Sequence, residues 1–418
     1  MTMNLSRALS LLLYGLFSGN VMSESLTVSG FGTVAYSYEN EDDLSFLRDL
    51  SHQSEPDNNG QWLSDSRLGL QLDYVFNQQW RATVQAVAKH SASDELSDML
   101  TLGFIAYRPS DVLELRAGRF GLDAFWATTT RDIDYGHIWI RPPTEVYGWI
   151  SLQALDGIDL TYTLAPGESD WHLGAQYGVV RTTYDPTSGD AVESTGTETM
   201  GISIKYVSGD WRARAAILRV GNFDIERNTQ TESVRSALSS VASLGGAIGV
   251  EADQYNQLLV VENEEFYYSQ VGGEYFDGRW KILSEVVSIA SKSNNPALPS
   301  GIGGYVNLAY YWKQWTPYTI ASTFRPDVDA LTASNDWSGL GLDTLQSSVI
   351  SGLNSTRVDQ STIALGIRWD LAKNLAVKAQ ADFISIAENG YGLWVSGNAK
   401  QSSSSSVQLY TLSMNFIF

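Results

Sequence analysis

The chain has 418 residues, no cysteine, and 27 basic against 47 acidic side chains, a formal net charge of -20. So strong an acidic balance excludes a nucleic-acid partner, because phosphate binding needs a positive surface. The missing thiol excludes disulfides and thiolate zinc sites, no other metal-ligand spacing stands out, and no cofactor is expected.

Arg7 is followed by the apolar run ALSLLLYGLF, Ala8 to Phe17, and then by small and polar residues. This pattern reads as a secretory signal peptide over residues 1–23, with cleavage after Ser23 and the small residues Val21 and Ser23 preceding the cut. The run is well under the ~20 residues of a spanning helix, and no other segment is long and apolar enough to span as one. A mature chain of residues 24–418 that enters a membrane must therefore do so as a closed barrel.

Sixteen segments alternate apolar and polar residues, starting near Ser25, Trp62, Gln79, Met99, Asp111, Ala154, Asp170, Met200, Trp211, Glu265, Arg279, Gly303, Trp315, Val358, Asn374 and Val407. Most exceed the roughly 5–6 residues of a typical globular strand. Leu68, Leu70, Leu72, Tyr74 and Phe76 alternate with Arg67, Gln71 and Asp73, and Ile363, Leu365, Ile367 and Trp369 with Thr362, Gly366, Arg368 and Asp370. One face belongs in lipid and the other in a polar interior.

Short turns, among them Asn77-Gln78, Pro109-Ser110, Pro166 to Ser169, Ser208 to Asp210, Asp277-Gly278, Lys313-Gln314 and Ala372 to Asn374, alternate with eight long polar links. Outer-membrane barrels sort their connections in this way, with an even strand number, short periplasmic turns and long external loops. Trp80, Trp171, Trp211, Trp280 and Trp315 recur at or just after short turns, where an interfacial aromatic girdle belongs. The expected fold is therefore all-β, a sixteen-stranded antiparallel transmembrane barrel. At that width side chains do not fill the interior, and a water-filled channel is expected. The last strand carries Tyr410, Leu412, Met414, Phe416 and Phe418 on its lipid face and closes the barrel against Leu26 to Tyr38.

SGFGTVAYSY at Ser29–Tyr38, LELRAGRFG at Leu113–Gly121 followed by a long link and ALDGIDLTYTL at Ala154–Leu164, and the terminal phenylalanine resemble the Gram-negative general porins. The resemblance covers essentially the whole mature chain in architecture. It implies a homotrimer in the bacterial outer membrane, in contact with lipid and lipopolysaccharide, and passive diffusion of ions and small hydrophilic solutes. It also implies that Phe418, Phe416 and Tyr410 form an assembly signal read by the barrel-assembly machinery, and that residues 121–153 fold into the lumen as a constriction loop. That loop carries Asp123, Asp132, Asp134 and Glu145 opposite wall residues Arg67 and Arg116, with Arg81 and Lys89 also inward by alternation. Arg119 lies in the family-like AGRF stretch, although parity with Arg116 points it outward unless a bulge near Gly118 re-aims it or the strand has ended. Opposed charge rows at a narrowing set ion preference.

A substrate-specific channel for oligosaccharides or anions is the alternative, and the aromatics Trp126, Tyr135, Trp139, Tyr147 and Trp149 of the third link support it. An enzyme is not expected, because His52, His90, His137 and His172 are accompanied by no serine nucleophile motif. Acids of the external links, such as Glu41 and Glu262, are read first as solubilising; a cationic pathway and divalent bridging to lipopolysaccharide are the other readings. VRSALSSVASL, Val234 to Leu244, has the composition of a short helix.

Overall fold

The computed structural model describes residues 25–41, 43–52, 60–91, 96–127, 130–149, 152–165, 167–184, 192–293, 295–396 and 403–418. The expected signal peptide lies outside these. Sixteen long strands dominate the chain: Leu26–Glu39 (β1), Arg67–Val75 (β2), Trp80–Lys89 (β3), Leu100–Ser110 (β4), Leu113–Gly121 (β5), Ala154–Leu164 (β6), Ser169–Tyr184 (β7), Val192–Ser208 (β8), Trp211–Ile225 (β9), Glu264–Phe276 (β10), Trp280–Ser291 (β11), Gly301–Tyr310 (β12), Trp315–Pro326 (β13), Val358–Ala372 (β14), Leu375–Tyr391 (β15) and Ser405–Ile417 (β16). Each pairs antiparallel with the next, and β16 pairs with β1, so the sheet closes. The two-residue segment Gly60–Gln61 extends the ladder beside β1. A small ribbon, Leu44–Phe46 with Trp394–Ser396, joins the first and last external loops.

Two strand starts differ clearly from the alternation in the sequence. The second strand begins at Arg67 rather than Trp62, because the residues between them form turns. The eighth begins at Val192 rather than Met200 and continues its ladder with β7 across a bulge between Gly196 and Thr199. After Val192 its first residues are polar on both faces, as suits a ladder running on beyond the bilayer, so no amphipathic pattern marks them.

Closure depends on the two ends of the chain. Phe418 and Gly30 exchange two backbone hydrogen bonds, 2.9 Å and 3.0 Å. The ring of Phe418 lies across Gly30, and that of Phe416 across Gly32; a Cβ on Gly30 would stand 2.1 Å from the Phe418 ring. The glycines of SGFG are thus the seats of the terminal aromatics, an arrangement that covers backbone which would otherwise face lipid. Val34, Tyr36, Tyr38, Tyr410, Leu412 and Met414 continue the outward band, while Thr33, Ser37, Thr411, Ser413 and Asn415 face in.

At the short-turn end, paired aromatics ring the outside of the barrel: Trp80 with Tyr107, Trp171 with Tyr206, Trp211 with Tyr275, Trp280 with Tyr310, and Trp315 with Trp369. Gly209 and Gly278 hold the left-handed backbone that their tight turns need, φ 54° and 86°. At the other end, Thr229–Ala242 (α1), Gly246–Leu258 (α2) and Asp343–Leu353 (α3) form a helical cap with its own core around Trp337. Glu251 binds that core together, accepting hydrogen bonds from Tyr255, Ser334, Asn335 and Trp337 at 2.6–3.0 Å. The helix expected over Val234 to Leu244 falls largely within α1.

Replacing Gly30 by valine drives a branched side chain into the Phe418 ring. The expected cost is about 1–3 kcal/mol, typical of overpacking. It should appear as a reduced folded fraction by heat-modifiable gel mobility, and Phe418→Ala in the same background should recover part of it.

Candidate functional site

The link between β5 and β6 turns into the barrel and crosses it. Asp123, at its start, accepts from Ser203 on β8 (2.6 Å) and pairs with Lys205 (3.1 Å) and with Arg214 on β9 (3.1 Å). Further on, Asp132 pairs with Arg67 on β2 (2.8 Å) and Lys89 on β3 (3.2 Å). Asp134 accepts from Thr33 on β1 (2.9 Å) and from Arg48 of the first external loop (3.1 Å), and stands 3.3 Å from Arg67. Arg141 bridges Asp65 (2.6 Å) and Asp382 on β15 (2.7 Å). Glu145 accepts from Ser322 on β13 (2.7 Å) and from Gln360 (2.8 Å) and Thr362 on β14.

The wall also grips the loop's backbone. Lys378 Nζ donates to the carbonyls of Asp134 (2.6 Å) and Trp139 (2.8 Å), and Arg368 to those of Tyr135 (2.6 Å) and His137 (2.7 Å). Arg131 reaches Asp49 (3.1 Å) of the first loop, and Tyr147 donates to Glu285 on β11 (2.6 Å). The loop is therefore held from nearly every side of the barrel.

Asp123, Asp132, Asp134 and Glu145 thus lie in the lumen, but each is in direct contact with the wall rather than facing it across water. Arg67 and Lys89 join them. Arg116 faces inward on β5, pairs with Asp159 (2.8 Å) and lies over the rings of Phe104 and Phe120, 5.2 Å from each centroid. Arg81 is inward and lower, paired with Glu114 (2.9 Å).

Arg119 stands at the end of the β4–β5 ladder and lines one cavity with Lys89, Arg131 and Asp132. The ladder ends at the pair Gly103–Arg119 without a register shift, so the Arg119 side chain starts on the face opposite Arg116 and the buried Phe120. It pairs with Asp156 (2.7 Å), which also meets Arg181 (3.4 Å), and donates to the Leu100 carbonyl (3.2 Å). Arg48 and Asp49 were not expected at the site; nothing in their local sequence marks them, since their partners lie far away in the chain.

Burial works against ionising Asp65 and Asp132, but their cationic neighbours outweigh it: Arg141 and Arg48 for Asp65, Lys89 and Arg67 for Asp132. Both carboxyls are held well below the usual carboxylate range. His52, buried in the first loop, is pulled down to about 3 by burial, with Asp49 opposing and Lys89 and Arg48 reinforcing the shift.

Much of the loop is apolar and packed. Leu122, Phe125, Trp139, Val146, Tyr147 and Trp149 are buried against one another and against wall residues such as Tyr268, Tyr305 and Phe324. Trp139, Tyr147 and Trp149 therefore line no exposed aromatic track. Contrary to the expectation of a wholly polar interior, this part of the lumen is filled by side chains.

The remaining solvated charge lies towards the short-turn end, where parity and pairing place Arg81, Arg108, Lys205 and Arg212 in the lumen. Their side chains are 42–55 % exposed, whereas the carboxylates they pair with, Glu114, Asp123 and Glu274, are 5–18 % exposed. At these sites cations project into the water and acids lie beneath them, whereas at Arg368–Asp370 on β14 the order is reversed, 11 % against 38 %. Among the described residues, no group of three or more His, Asp and Glu side chains is placed to hold a metal ion.

No protein-family model matches the chain, and no curated protein sequence matches it. Solved structures do. The anion-selective porin of Comamonas acidovorans superposes with a TM-score of 0.54 at 12% identity, covering 94% of this chain and 99% of that one. The channel DcaP of Acinetobacter baumannii gives 0.53 at 11%, covering 96% and 100%. OmpF of Salmonella typhi, in complex with daunomycin, gives 0.53 at 10%, again 96% and 100%. The fold is the porin barrel. At these identities the likeness concerns the fold alone, and the contents of this porin barrel, with its packed transverse loop and basic lower lumen, are read from its own residues.

Arg141→Leu leaves Asp65 and Asp382 buried without their shared cation, and the expected loss is roughly 3–5 kcal/mol, visible as a lower denaturant midpoint. Acid should loosen the loop in two stages. His52 stays neutral when folded and titrates near 6.5 when unfolded, so its contribution is complete above about pH 6.5 and is lost as pH falls towards about 3. Asp65 and Asp132, with depressed folded values, contribute fully above about pH 4 and lose that stability below it. Thermal unfolding from pH 7 to 3 checks this, and His52→Phe should flatten only the upper stage; a level profile contradicts it.

Proposed function

We propose that the protein is an outer-membrane channel of porin type, through which small hydrophilic solutes diffuse passively with a preference for anions. The observation that carries the anion preference is that Arg81, Arg108, Lys205 and Arg212 in the lower lumen are far more exposed than their acidic partners. Charge rings of this kind set ion preference at short range. The net charge of -20 does not decide it, because exposed charges are screened over a Debye length of about 8 Å at physiological salt and many of the acids lie in external loops. The anion selectivity of the Comamonas porin agrees with this reading.

In this reading Asp123, Asp132, Asp134 and Glu145 anchor the constriction loop, with Arg67, Lys89 and Arg116 as wall partners, and the loop narrows the path. The protein is exported by the signal peptide at residues 1–23, inserted through the assembly signal ending in Phe418, and assembled as a homotrimer. A saccharide-specific channel is the weaker reading, since of the loop's five Trp and Tyr side chains Trp139, Tyr147 and Trp149 are buried and only Trp126 and Tyr135 stay partly exposed.

Planar-bilayer recording of the purified protein under a KCl gradient tests the proposal. Ohmic steps with a reversal potential favouring chloride are expected, and the double variant Arg81→Glu, Arg212→Glu should shift the preference severalfold towards potassium. A wild-type preference for potassium overturns the anion reading, and saturable block by phosphate would replace passive diffusion with a specific anion channel.

A further inference from the structure

On the other side of the constriction loop, towards the cap, the wall changes character. The inward row of β9 reads Arg212 and Arg214 at the short-turn end, then Ala216, Leu218 and Val220. Leu218 pairs with Tyr268 and Val220 with Phe266 on β10, so the apolar rows lie side by side. Trp149 of the constriction loop and Leu298 of the loop after β11 close the space from two other sides, leaving a partly open chamber of about 100 Å³ with no charged side chain in its lining.

Two physical points give the chamber meaning. Protein interiors leave few voids larger than a water molecule, so a space of this size between large apolar side chains is not ordinary packing. A charged or strongly hydrated solute would lose its water there with nothing in exchange, whereas an apolar cavity of about 150 Å³ accepts a whole benzene. This chamber, about 100 Å³ and partly open, takes a single ring with its substituent left towards the opening. The aromatic faces of Trp149, Phe266 and Tyr268 complement a flat ring.

We infer that this chamber is a binding site for a neutral single-ring aromatic solute, entered from the capped side of the barrel. The site lies in the lumen but does not depend on the ion preference proposed above. Ligand and ions meet different walls: the apolar rows of β9 and β10 above the loop, and the basic side chains below it.

The test is a fluorine NMR titration of para-fluorobenzyl alcohol against the full chain in lipid nanodiscs, with empty nanodiscs as the partition control. Saturable binding beyond that control is expected, with para-fluorobenzoate at least about tenfold weaker. Leu218→Trp, which fills the chamber from the wall, should weaken binding at least about tenfold, a loss within the range of altered pocket fit. Leu298→Trp should do the same from a loop outside the sheet, which covers the event that Leu218→Trp does not fold. Ile217→Trp, on the adjacent outward position, should bind as wild type. Binding no greater than the empty nanodiscs, or equal in wild type and both filling variants, overturns the inference. Conductance on the same preparations separates the two readings: binding without conductance removes the porin reading and leaves the chamber, and conductance without binding does the reverse.

Discussion

In a bilayer every backbone N–H and C=O along the wall must find a partner within the protein, because the hydrocarbon offers none. For this chain that requirement comes down to one seam. β1 and β16, at opposite ends of the sequence, must pair from Phe31 with Ile417 through to Glu39 with Leu409, or two unpaired edges face lipid. The terminal aromatics lie flat over Gly30 and Gly32, so the seam is covered as well as bonded. Once it is closed, alternation assigns each strand residue to lipid or lumen.

Inside the wall a second constraint operates. A loop that crosses the lumen must bring its own polar groups out of water, and here they are met one by one. Asp132 meets Arg67 and Lys89; Arg141 meets Asp65 and Asp382; the carbonyls of Asp134 and Trp139 meet Lys378. Buried pairs of this kind are costly to break and modest as net stabilisers, so their effect is to hold one position of the loop. The apolar stretch from Val146 to Trp149 then packs against Tyr268, Tyr305 and Phe324 and divides the lumen into unlike halves.

That division gives the two sides of the barrel different chemistry. On the short-turn side, exposed arginines and a lysine stand over less exposed acids and offer an anion a solvated, positive path. On the capped side, β9 and β10 present leucine, valine and phenylalanine. A single inward row, Arg212 to Val220, changes from charged to apolar within nine residues of β9, and the loop sits at the change.

The sixteen strands, the sorted turns, the aromatic girdle and the pairing of the last strand with the first were legible in the sequence, because they follow from a period of two and from residue chemistry close in the chain. Arg119 shows the limit of local pattern: strand parity sets it opposite Arg116, yet it ends its ladder and lines a cavity with Lys89 and Asp132, which lie far from it in the chain. The loop's acids could be named as lumen residues, but their direct contact with the wall could not, nor could the partnership of Arg48 with Asp134, 86 positions apart. Local pattern by itself determined what each strand shows to lipid and to water. How far the loop penetrates, which charges are buried and which stay wet, and where the lumen is apolar depend on packing between residues distant in sequence, and only the tertiary structure decided them.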